Sequence, residues 1–151
     1  MFDTTISNKD ENLFAIWMVR QVEHLIKDPR AKEGLDATEK RIYGKINEQC
    51  YGTYRAIIAM HRDRAASGTV DSVYHAAYAL ALLANNVSAE GNQYKFLNDV
   101  SVRVCKALDS SEKESAEKTG NAIKYKSVSR ADSHMEMFNL ILQDKAPWQK
   151  I

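Results

Sequence analysis

Arg55 and His61 are the residues of this chain whose types and spacing could do chemistry. A guanidinium can steady a phosphate, and an imidazole six residues further on can carry a proton near neutral pH. Together they would serve phosphodiester cleavage, provided that both face one cleft. His61 also opens a basic knot, His61-Arg62-Asp63-Arg64, that runs into Gly68. The plainer reading is a partly buried histidine near a helix C-terminus, where positive charge is favourable. His61 falls on the apolar stripe of its helix, and Arg55 lies round the helix from it.

The spacing resembles that of the all-α ribonucleases of the HEPN group, in which four to six residues separate the arginine from the histidine. The resemblance rests on two residues, and Ala56 stands where that group often has a polar one. It implies a ribonuclease built on Arg55 and His61 and completed by a dimer.

A second pattern shares the same segment. Arg41, Lys45, Glu48, Gly52, Arg55, Ala59 and Arg62 follow alternating steps of four and three, which draws one stripe on a helix. Gly52 and Ala59 would let another backbone come close. Arg41, Lys45, Arg55 and Arg62 could then clamp carboxylates or phosphates of a partner. A solvated charged face is the ordinary alternative. Further on, "KTGNAIKYKSVSR" sets Lys118, Lys124, Lys126 and Arg130 around Tyr125 without an acidic residue. Cations beside an aromatic can hold a nucleic-acid strand by charge and stacking, here weakly and with strong salt dependence.

Other chemistry finds little support. His24 and His134 have acidic neighbours but no metal-ligand spacing, and His75 reads as a hydrogen-bonded core residue. No phosphate-binding glycine loop or nucleophile elbow occurs, so neither metal nor cofactor is expected. Cys50 and Cys105 stand alone, as buried thiols of a reducing compartment would. The net charge of +1 points to neither a dedicated duplex-DNA binder nor an acidic mimic. The first twelve residues lack the pattern of a secretory signal, and the longest apolar run, Ala76 to Ala84, is too short for a bilayer. A cytoplasmic protein is expected.

The elements that must position these residues are helical. Two prolines and six glycines in 151 residues leave room for long uninterrupted helices, and no strand-period run appears. The first helix follows Ser7, buries Phe14, Trp17, Met18, Val22 and Leu25, and ends at Asp28-Pro29. "RAKEGLDA" reads as a connector. A second helix of about 28 residues, capped by Asp36 or Thr38, runs to Ala66 with Ile42, Ile46, Cys50, Tyr54, Ile57 and His61 inward and a bend near Gly52. A third, from Thr69 or Asp71, is apolar almost all round and therefore central. Ser88 caps a fourth, with Leu97, Val100, Val104 and Leu108 inward. Ser111 and Glu114 match a capping box, but residues 110–130 have a thin apolar face and read as a short exposed helix and mobile loop. A last helix spans Ser129 to Lys145. Trp148, beyond Pro147, either tucks back or docks on another subunit.

The expectation is an all-α, compact bundle of five to six helices forming one domain over residues 1–151. Its function is expected to be non-enzymatic protein–protein interaction through the basic and small-residue face. A small helical inhibitor or adaptor of the sort carried by phages and mobile elements would fit, as would self-association. A nucleic-acid-binding module and the HEPN-like ribonuclease are the alternatives.

Overall fold

The computed structural model describes residues 2, 6–68, 70–88, 95–119 and 130–149. They form an all-α bundle of six helices, without a strand among the described residues. The order is α1 (Asn8–Arg20), α2 (Pro29–Ile42), α3 (Glu48–Ala66), α4 (Asp71–Ser88), α5 (Phe96–Thr119) and α6 (Arg130–Leu142), with short 3-10 turns at Glu23–Leu25 and Pro147–Gln149.

The apolar helix is central, as its composition requires. α4 packs against α5, α3, α1 and α2, and buries Ala76, Ala77, Leu80, Leu83 and Ala84 completely. Beside it, α1 buries Phe14, Met18 and Val19. Phe2 meets the rings of Phe14 and Phe138 at centroid distances of 5.2 and 5.1 Å, and so joins α1 to α6. Trp148 tucks back. Its indole Nε1 donates to Asp10 at 3.1 Å, and Gln149 donates to the other oxygen of the same carboxylate. No described helix is long and apolar enough to cross a membrane.

Several boundaries differ from the sequence reading, each for a local reason. α1 stops at Arg20, before Asp28-Pro29. That dipeptide instead starts α2: Asp28 accepts from the Arg30 amide at 2.9 Å, and Pro29 takes the first turn, where no amide hydrogen is needed. "RAKEGLDA" is therefore helix rather than connector. The expected long second helix is two helices. Gly44, at φ 73°, ends α2, with the Lys45 amide bonded to Lys40 O and the Gly44 amide to Arg41 O. This left-handed stop favours glycine. Asn47 then caps α3 by accepting from the Cys50 amide at 2.8 Å.

Ser88 is the last residue of α4 rather than the cap of α5. Ser111 and Glu114 lie inside α5, so they form no capping box. Glu114 reaches across to α4 instead, accepting from the Ser72 amide at 3.1 Å and its hydroxyl at 2.6 Å. A carboxylate there meets the positive end of the α4 dipole. The expected short helix is thus the continuation of α5 as far as Thr119, and residues 120–129, where the loop was expected, lie outside the described residues.

Candidate interaction surface

The splitting of the long helix rearranges the basic stripe. Arg41 sits in the last turn of α2, Lys45 lies in the turn after Gly44, and only Glu48, Gly52, Arg55, Ala59 and Arg62 share α3. The fold still brings three of them together. Glu48 receives Arg41 Nε at 3.2 Å and Arg55 Nη1 at 3.5 Å, so one carboxylate is held between two cations. Lys45 lies 5.9 Å from the centroid of the Tyr43 ring, and Arg62 pairs with Asp63. These contacts are solvent-facing and hold the side chains only weakly.

The inward face of α3 is also rotated from the expected one. Tyr51, Ile58 and His61 are its buried residues, and Cys50 is exposed. Ile42, Ile46 and Tyr54 are half-buried against the core. Tyr51, one position past Cys50, lay off the expected stripe, and the fold satisfies its buried hydroxyl. Thr38 donates to Gly34 O at 2.7 Å, which leaves its oxygen to accept from Tyr51 at 2.8 Å. Burial pushes the phenol pKa up to about 12.

The close approach is at Gly34 of α2, where a Cβ would stand 2.9 Å from Ile58 Cγ1. At Gly52 a Cβ would meet nothing within 4 Å. Gly52 therefore does not seat another described helix, and Ala59 is half-buried two turns on. They edge an outward face whose middle carries Gln49, Thr53, Ala56 and Met60, the last 49% exposed. The sequence reading missed Thr53, Ala56 and Met60. Their available signal was a row of uncharged side chains at three- and four-residue steps, opposite the buried face.

Arg55 and His61 do not share a cleft. Six residues place them about 120° apart around a helix. Arg55 is exposed and held to Glu48, whereas His61 is buried with its Nε2 unpartnered. Burial lowers the His61 pKa against the opposing pull of Asp28, with Arg64 lowering it further, so the ring is neutral at pH 7.

The cationic segment is likewise divided. Lys124, Tyr125 and Lys126 lie outside the described residues, as does the side chain of Lys118. Arg130, in the first turn of α6, bridges Asp109 at 3.3 Å and also Glu112. Two carboxylates thus neutralise it, which removes one cation from that segment.

His134 is the centre of a polar cluster that the sequence reading did not find. Its ring is fully buried, with Nδ1 2.7 Å from Ser101 Oγ and Nε2 2.8 Å from Gln21 Oε1. A neutral imidazole satisfies both: Ser101 donates to Nδ1, and Nε2–H donates to Gln21. Burial lowers its pKa to about 4. A serine hydroxyl on an imidazole has the form of an activated nucleophile. Ser101 is itself 1% exposed, however, so substrate cannot reach it. The cluster fastens α5, α6 and the end of α1 together. Cys105 stands 3.9 Å from the same ring, and burial pushes its thiol pKa up. His75, expected in the core, is half-buried and bonded to Arg103. Among the described residues, no group of three metal-ligating side chains could hold an ion.

The chain is thus defined as an all-α bundle with a solvent-facing α3. Scans against protein-family models, curated proteins and solved structures each returned no match.

Proposed function

We infer that the protein is a non-enzymatic helical binding protein that docks another protein on the outer face of α3. The reading is supported chiefly by the open space at Gly52. A helix interior glycine costs about 1 kcal/mol against alanine. Here no described neighbour needs the missing methyl group. A partner that packs against the backbone at this point would give the glycine a role. Ala56 and Met60 extend the contact over the next two turns, and Arg55 and Arg62 border it. Methionine adapts to a partner's shape, and arginine can exchange a weak surface pair for a buried one.

Affinity capture from the source cell, with Gly52→Leu and Met60→Glu beside the parent protein, tests this reading. Both substitutions point into solvent and leave the bundle folded. A partner captured by the parent and by Lys113→Glu, on exposed α5 surface, but lost from both α3 variants is the expected result. An unchanged set of captured proteins refutes it. Light scattering of the same variants shows whether that partner is a second copy of the chain.

A further inference from the structure

A different part of the surface, between α4 and α5, holds an arginine with no acidic partner among the described residues. All eight arginines lie among the described residues, and five of them, Arg20, Arg41, Arg62, Arg103 and Arg130, are half-buried. Four of the five meet a carboxylate. Arg103 meets none among the described residues. A cation partly removed from water ordinarily has an anionic partner, because desolvation is otherwise uncompensated.

Arg103 is instead held by neutral groups. Its guanidinium lies 3.9 Å from the centroid of the Tyr78 ring and 5.7 Å from that of Tyr74. Nη1 donates to His75 Nδ1 at 3.1 Å, which places the imidazole proton on Nε2. Stacking and this bond fix the plane of the guanidinium, and its other N–H groups have no acceptor among the described residues. They border a cleft of about 240 Å³ between α4 and α5, lined by Tyr78, Leu82, Asp99, Val102, Arg103 and Lys106. Lys106, one turn beyond Arg103, adds a second cation on the same helix face.

We propose that this α4–α5 cleft binds a small phosphate monoester, with Arg103 and Lys106 holding the phosphate. Two cations on one wall match a dianion better than a single carboxylate, and a pre-oriented guanidinium offers paired N–H groups to phosphate oxygens. Asp99 shares the cleft and repels phosphate, so it selects a ligand whose remaining part carries a hydroxyl or amine. The apolar wall at Leu82 and Val102 takes a carbon skeleton. A sugar phosphate or a nucleoside monophosphate has these parts. The site is separate from the α3 face and does not depend on it.

The test is a titration of the intact chain with inorganic phosphate, ribose 5-phosphate and adenosine monophosphate, at ionic strength fixed with chloride and followed by amide and His75 ring resonances. Saturable shifts confined to Tyr78, Arg103, Lys106 and His75 are expected, with at least one ester tighter than inorganic phosphate. The His75 pKa is lowered by burial and then by Arg103 and Lys106, with Asp71 opposing them. A bound dianion screens both cations, so the ring pKa rises on saturation. Arg103→Gln should weaken binding at least about tenfold, the loss of a charge-assisted bond. The exposed Lys106→Gln should weaken it by a smaller factor without touching the fold. No saturable shift up to about 20 mM overturns the proposal. So does binding of adenosine as tight as that of its monophosphate, or binding unaltered in Lys106→Gln.

Discussion

Acidification should unlock the bundle through His134. The ring has no exposed surface, and both its nitrogens are committed to a neutral tautomer. Its pKa falls from the ordinary 6.5 to about 4 in the fold. That difference corresponds to about 3 kcal/mol of preference for the uncharged ring. The sign follows from linkage. Well above pH 6.5 the contribution is fully present. Below it the unfolded chain takes up a proton that the folded chain refuses until about pH 4, so stability declines across that window. His134→Gln removes the titration and keeps an amide within reach of Ser101 or Gln21. It should cost about 1–3 kcal/mol at neutral pH, from one lost hydrogen bond and imperfect filling. Urea unfolding of both proteins at stepped pH provides the assay. The parent should lose about 3 kcal/mol more than the variant between pH 6.5 and pH 4. His61 and Glu11, with lowered and raised pKa values respectively, contribute to both curves and cancel in the difference. Parallel curves would refute the reasoning, as would a ring resonance of His134 that titrates near 6.5.

Three further outcomes follow from the packing. Gly34→Ala should destabilise by about 1–2 kcal/mol because the new methyl group meets Ile58, whereas Gly52→Ala should stabilise by up to about 1 kcal/mol; thermal unfolding of the pair reads the opposite signs. Tyr51→Phe should cost about 1 kcal/mol at neutral pH, since Thr38 keeps Gly34 as its acceptor. It should also remove the stability that the parent loses as pH rises from 10 toward about 12, measured by alkaline denaturation. Asp144, at φ 56°, occupies the left-handed position after α6, so Asp144→Gly should raise the urea midpoint by the equivalent of roughly 0.5–1 kcal/mol.

The helical class, the central place of α4 and the inward residues of α5 were legible because apolar side chains recur there without polar interruption. The division between α2 and α3 was not. Ile42, Ile46, Cys50 and Tyr54 continue a helical spacing straight across it, and periodicity is blind to one residue at φ 73°. The punctuation was present nonetheless: Lys40-Arg41 before Gly44, then Asn47 before Glu48, is a stop followed by a start. Asp28-Pro29 was legible as a boundary but ambiguous in direction, because proline ends one helix and suits the first turn of the next. The stripe from Arg41 to Arg62 was half legible: Arg41 and Arg55 converge on Glu48, but from two helices. Arg103 with Tyr74, His75 and Tyr78 could not be found by spacing, since its parts come from two helices and meet only on packing.

The double hold of Asp10 on Trp148 and Gln149 makes the first turn of α1 and the final 3-10 turn one mechanical unit. Neither can fray without releasing the other, so their amides should exchange with solvent at a common rate. Substituting this single carboxylate would let both loosen together, and the fluorescence of Trp148 would report the moment they do.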